Sequence, residues 1–228
     1  MEVFKKISVD FDYQKLRKDV EDTYYTIKSQ AIGTEYEILS NRNLCLTVSK
    51  ENSDDWSDGI AGKSLQNNSR EGNPLTAVQD DSNEIIDETR FVYPIKQIHG
   101  TYLEKFVTSF SEVYRWRISV LPPRTTLSIH KDGSPMMSTF NNMGAILDWR
   151  LHFPITTNNR CFLVNWPDNF MGANETGEQV PIQMAHFKAG RSYLLNTSKT
   201  HCATNYSATE RIHLIASVGN IEQFTQVS

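Results

Sequence analysis

Cysteine is scarce in this chain of 228 residues: Cys45, Cys161 and Cys202 are an odd set with no CxxC spacing. That argues against a disulfide framework and against a thiolate zinc site, and leaves reduced thiols as the expectation. Basic charge is also short. Lys and Arg number 23 against 27 Asp and Glu, a net charge of −4. The cations are scattered, so no basic stripe offers itself to nucleic acid or to an anionic membrane. Long apolar runs are missing as well. The opening MEVFKKISVDFDYQKL lacks the apolar stretch of a signal peptide, and nowhere do about 18 apolar residues run together. The expectation is a cytoplasmic protein forming a single domain over residues 1–228, long enough to bury a core.

What is present changes character along the chain. Phe11, Leu16, Val20, Tyr24 and Ile27 keep helical spacing, which predicts an amphipathic helix over 10–29 with Asp10 or Asp12 as its N-cap. A second helix is predicted over 96–114 from Ile98, Leu103, Phe106, Val107, Phe110 and Val113. Between them, residues 50–83 are polar and rich in Asn, Asp, Ser and Gly, and read as a surface loop or lid. After Tyr114 the period moves from 3.6 towards 2. RWRISV, TTLSIH, DWRLHFPI, RCFLVNW, RSYLLN, HCATNY and ERIHLIASV are short β-like runs separated by Pro, Gly, Asn and Ser clusters. The C-terminal half is therefore mainly β, a sandwich, barrel or jelly roll.

Residues i and i+2 of a strand share a face, so His130 and Asp132 in SIHKDG can converge on one ion. Imidazole nitrogen with carboxylate oxygen suits Fe(II), and a second histidine completes a two-His, one-carboxylate triad. His201 is the candidate, with His152, His186 and His213 in competition, and periodicity does not choose among them. Ten residues after His201 stands Arg211, on the same strand face as His213 and opposite to Ile212 and Leu214. An inward arginine in an apolar strand needs an anion, because an unpaired buried charge is costly. A dicarboxylate cosubstrate, or an ordinary Asp or Glu, would serve.

Read together and in this order, RISVLPPRTTLSIHKD, DWRLHFPITTNNRCFL and FKAGRSYLLNTSKTHCATNYSATERIHLI resemble the aspartyl/asparaginyl β-hydroxylase family of Fe(II)- and 2-oxoglutarate-dependent oxygenases, over residues 115–218. The resemblance implies a double-stranded β-helix, the cupin-like jelly roll, over 115–220, with the N-terminal part (1–114) supplying helices that pack on one outer face. It implies His130, Asp132 and His201 as iron ligands. Asp132 matches the carboxylate ligand of the proline-hydroxylating members, where the membrane-anchored asparaginyl hydroxylase has glycine. It further implies Arg211, Ser119 and His152 as residues for 2-oxoglutarate, and Arg150 of the Arg-x-His strand as a residue facing a substrate carboxylate.

The cosubstrates implied are 2-oxoglutarate and O2, and the substrate is an amino acid, or an amino-acid residue in a peptide or peptide-like metabolite. Segments 50–83, 133–147 and 167–183 are the expected pocket walls. Two other classes compete: a non-catalytic cupin-like protein binding a small carboxylate, and a zinc-dependent hydrolase. Cys202 is expected to pack on the strand face opposite to His201.

Overall fold

The computed structural model describes residues 3–34, 36–37, 42–60, 87–127, 129–130, 132, 147–166 and 182–226. Alternation after Tyr114 does produce strands: β5 (Val113–Leu121), β6 (Thr125–Thr126), β7 (Trp149–Thr156), β8 (Cys161–Trp166), β9 (Gln183–Ala185), β10 (Ser192–Asn196), β11 (Thr200–Asn205) and β12 (Arg211–Val218). Their pairing is nested. β8 pairs with β9, β7 with β10, β6 with β11 and β5 with β12, all antiparallel. A long hairpin wound in this way places β5, β7, β10 and β12 in a seven-stranded sheet and β6, β8, β9 and β11 in a four-stranded one. This is the double-stranded β-helix, a jelly roll of two sheets.

The large sheet is widened by strands from outside residues 115–220. β1 (Phe4–Ser8) pairs with β10 and with β13 (Thr225–Gln226), and β2 (Asn43–Cys45) pairs with β5. A small ribbon of β3 (Thr47–Val48) and β4 (Tyr93–Pro94) stands apart from both sheets.

The first helix, α1, spans Tyr13–Ala31, and the Asp12 side chain accepts from the Lys15 N–H at its start. The N-cap choice thus falls on Asp12, which satisfies one of the free amides of the first turn. The second predicted helix is shorter than its apolar spacing suggests. A single 3-10 turn at Lys96–Ile98 ends at Gly100, whose φ of 77° is the left-handed conformation glycine tolerates. Thr101 then caps α2 (Tyr102–Thr108), and from Val113 the chain is already strand. Of the segment 50–83, residues 50–52, 54 and 55 are exposed and residues 56–60 pack inwards: the Cys45 N–H donates to the Trp56 carbonyl and Ile60 is buried. The rest of that segment, and residues 133–146 and 167–181 of the other expected walls, lie outside the described residues.

Helices α1 and α2 cover one face of the large sheet. Leu16, Val20, Ile27, Leu103 and Phe106 form one cluster with Trp116, Ile118, Phe153 and Leu214. Phe106 meets Phe153 edge-on at 5.0 Å between ring centroids. Covering this face explains why all eight residues of β12 are buried: Ile212, Leu214 and Ala216 face the helices, and Arg211, His213, Ile215 and Ser217 face the interior of the roll. Among the described residues, no helix is long and apolar enough to cross a membrane.

Candidate metal centre

His130 and His201 form an antiparallel bridge, each N–H donating to the other's carbonyl at 3.0 and 2.9 Å. Directly opposed residues project to the same side, and the two imidazole centroids lie 4.4 Å apart. The Asp132 N–H donates to the Thr197 carbonyl at 2.9 Å, which holds the carboxylate two positions along on that side. His130 Nε2 is 3.5 Å from Asp132 Oδ1, and ligand atoms of His130, Asp132 and His201 all lie within 4.8 Å of one another. The His201 Nδ1 lies 2.8 Å from the Lys199 carbonyl, so that nitrogen carries the proton and Nε2 keeps its lone pair. Two imidazole nitrogens and one carboxylate oxygen on one side fit an octahedral Fe(II) with positions to spare. Burial and the neighbouring His130 lower the His201 pKa, which keeps the ring neutral and able to ligate. Burial alone would raise the Asp132 carboxyl, but Arg150, His201 and His130 outweigh it and hold the group below the usual carboxylate range.

The second Asp132 oxygen, Oδ2, is 3.1 Å from Arg150 Nη2. Arg150 lines the cavity beside the triad and is at the same time tied to the protein's own carboxylates. The same nitrogen is 3.1 Å from Glu88 Oε1, and Nη1 donates to the Leu147 carbonyl. Glu88, only 1% exposed, also accepts from Arg115 Nη1 at 2.6 Å and from the Leu147 N–H at 2.9 Å. Burial would raise its carboxyl, yet Arg150 and Arg115 pull it below the usual range. Arg115 reaches Glu88 from a left-handed backbone position, φ 52°, beside an irregularity in the β5–β12 ladder. Sequence reading missed Glu88 altogether. It lies 62 residues before Arg150 in a short polar turn, and no spacing rule connects the two.

Beside the triad lies a cavity of about 260 Å³ whose walls include Ser119, His152, Arg211 and His213. In the β5–β12–β7 ladder, Arg211 is opposite Leu121, His213 opposite Ser119, and Ile215 opposite both Arg117 and His152. Arg211 is 5% exposed, has no side-chain ion pair among the described residues, and its Nε lacks a hydrogen-bond partner. The ordinary alternative, a bridge to Asp or Glu, is absent among those residues. Burial draws the Arg211 guanidinium down to about 10, still a cation at neutral pH. His152 and His213 approach through their Nδ1 atoms at 3.5 Å, and burial together with Arg211 pushes both well below 6.5, so they are neutral.

Of the four histidines that competed for the metal, the structure brings only His201 to His130 and Asp132 among the described residues. His152 and His213 line the cavity, and His186 Nδ1 turns to the Cys161 carbonyl. Cys202 is a buried free thiol raised in pKa by its burial. Arg117, not singled out from the sequence, also lines the cavity.

Residues 100–220 match the family described as Aspartyl/Asparaginyl beta-hydroxylase. No curated protein sequence matches the chain. Among solved structures, AviO1 from Streptomyces viridochromogenes is similar at 9% identity and a TM-score of 0.45, over 96% of this chain and 91% of that one. A 2OG-Fe(II) oxygenase family oxidoreductase from Burkholderia pseudomallei is similar at 12% identity and a TM-score of 0.33, over 50% of this chain and 47% of its own. A cupin domain from Bordetella pertussis is similar at 16% identity and a TM-score of 0.31, over 49% of this chain and 86% of that one. The match thus spans about half the length of the Burkholderia oxidoreductase. With more than half of its length matched by one family, this chain belongs to the aspartyl/asparaginyl β-hydroxylase family of Fe(II)- and 2-oxoglutarate-dependent oxygenases.

Proposed function

We propose that the protein hydroxylates an unactivated C–H bond of an amino acid, or of an amino-acid residue in a peptide or peptide-like metabolite. The observation that carries this reading is the buried, unpaired Arg211 in the same cavity as the His130, Asp132 and His201 cluster. A metal centre alone fits a hydrolase. A metal centre with an uncompensated guanidinium in its cavity fits a metal-chelating acid with a second, distal carboxylate, which is 2-oxoglutarate.

In this reading His130 Nε2, Asp132 Oδ1 and His201 Nε2 hold Fe(II), and Arg211 takes the distal carboxylate by paired hydrogen bonds. Ser119 and His152, facing the same cavity, help hold the cosubstrate. Once bound, iron and 2-oxoglutarate supply the oxidising power, with O2 consumed and the cosubstrate decarboxylated to succinate. The chain's own residues do the rest. The Lys199 carbonyl fixes the His201 tautomer, and Arg150 occupies one Asp132 oxygen so that the other faces the metal. Neutral His152 and His213 keep two further positive charges away from Arg211. We read residues 1–228 as one oxygenase domain. Cys161 and Cys202, buried thiols, support a reducing, cytoplasmic setting.

The test is anaerobic. Purified protein loaded with Fe(II) is given 2-oxoglutarate, and the visible charge-transfer band of the chelated keto acid is sought, with His130→Ala as control. A band that the variant lacks supports the reading. A folded, metal-loaded protein without the band points to a zinc hydrolase or a carboxylate-binding protein instead.

A further inference from the structure

Resting on that reading, a second cation in the cavity remains to be explained. Arg117 projects from β5 on the same face as Ser119, two positions nearer the Arg115, Glu88 and Arg150 network. Its Nε is buried without a hydrogen-bond partner, and no ion pair holds its guanidinium among the described residues. Its neighbours make it worse off: Arg115 and Arg150 already share Glu88, and Asp132 is committed to Arg150 and the metal site. Three guanidinium groups thus face two carboxylates, and a divalent ion on Asp132 would deepen the deficit. Burial, with Arg115 and Arg150 beside it, draws the Arg117 group down to about 9, a cation held against its surroundings at neutral pH.

The cosubstrate does not answer this charge. One carboxylate of 2-oxoglutarate belongs on the metal and the other on Arg211. Arg117 stands four strand positions from Leu121, the residue opposite Arg211, about 13 Å along the ladder at a strand's rise per residue. The positive charge of Arg117 acts on Asp132 and on His152, whereas that of Arg211 acts on His152 and His213 but not on Asp132. The two arginines therefore serve opposite ends of the cavity, with Arg117 on the metal side. We propose that Arg117 anchors a carboxylate of the primary substrate beside the metal centre, so that the substrate is a small free acid of the amino-acid class.

The experiment is titration calorimetry on the full chain, oxygen-free, with Fe(II) and 2-oxoglutarate in place so that nothing turns over. Each standard L-amino acid is offered as the free acid and as its carboxamide. At least one acid is expected to bind, its carboxamide and the Arg117→Leu variant each weakening binding by about 30-fold or more. Arg117→Lys, which keeps the charge, is expected to fall between. Binding of 2-oxoglutarate itself is expected to stay the same in both variants. An arginine present for stability would lower the Tm of the metal-free protein when replaced; an uncompensated one held for a ligand is expected to leave it unchanged or raise it by about 2–4 °C. Three results overturn the inference alone: no free acid binds, the carboxamide binds as well as the acid, or Arg117→Leu weakens 2-oxoglutarate rather than the amino acid. Failure of 2-oxoglutarate to bind the unaltered protein overturns the oxygenase reading, and this inference with it.

Discussion

The two faces of the large sheet are built from alternate residues of the same three strands, and they have opposite chemistry. Towards the helices stand Trp116, Ile118 and Val120 of β5, Leu151, Phe153 and Ile155 of β7, and Ile212, Leu214 and Ala216 of β12. Towards the interior stand Arg117 and Ser119, Arg150 and His152, and Arg211 and His213. Buried polar atoms without partners divide unevenly. Among the described residues of the sheet, Arg117 Nε, Arg150 Nε, Arg211 Nε, His213 Nε2 and Ser217 Oγ belong to the interior side, and Trp116 Nε1 alone to the helix side. Proteins normally satisfy such atoms, so their concentration on one face marks groups kept for something other than the fold. One face supplies the stability that the other spends on being ready for charged ligands.

That contrast can be broken at several strengths. The largest effect is expected from His201→Ala, which removes a proposed metal ligand from the interior and is expected to abolish turnover, with denaturation midpoint little changed. Phe153→Ala on the helix face should do the reverse. It is expected to cost about 3–5 kcal/mol in chemical denaturation, because Phe153 is fully buried among Phe11, Phe106 and Trp116. Glu88→Ala joins the two effects, since it strips the shared carboxylate from Arg115 and Arg150. A loss of about 3–5 kcal/mol is expected, together with weaker Fe(II) affinity as Arg150 shifts against Asp132. Wild-type metal affinity in that variant would show that Arg150 does not position Asp132.

Smaller effects sharpen the comparison. Arg211→Leu is expected to raise the 2-oxoglutarate requirement about 30-fold without loss of stability, measured by the charge-transfer titration and a thermal melt. The smallest is a pH effect. His152 and His213 are held below 6.5 in the folded protein. The unfolded chain therefore takes up more protons as pH falls below that value. The stability from keeping these rings neutral is fully present above pH 6.5 and is lost on acidification, with a limiting slope of about 2.7 kcal/mol per pH unit for the two rings together. Melts between neutral and mildly acid pH should show it, and His213→Phe should reduce the slope.

Much of this arrangement was legible beforehand, for identifiable reasons. His130 with Asp132, and Arg211 with His213, are two apart in sequence, and period-2 geometry alone predicts that each pair shares a face. The strands themselves announced their period, as did α1 with its cap. The second helix announced its period but not its ends, because an apolar spacing that suits a helix spans Gly100 and Thr101, whose backbone conformations interrupt it. β1 was hidden because Phe4–Ser8 contains two lysines and one deeply buried residue, a pattern that makes sense only once β10 is beside it.

By itself, then, the sequence determined the kind of fold and the candidate ligands, since both follow from local alternation and from residue types whose chemistry does not depend on neighbours. Tertiary structure decided the rest. It brought His201, and not His152, His186 or His213, to His130 and Asp132, tied Arg150 to Asp132 and Glu88, and left Arg117 and Arg211 without a carboxylate among the described residues. The physical reason is that a charge is defined functionally by what compensates it. Compensation is settled by groups such as Glu88, which lie far off in the chain and come within 3.1 Å only when the roll is wound.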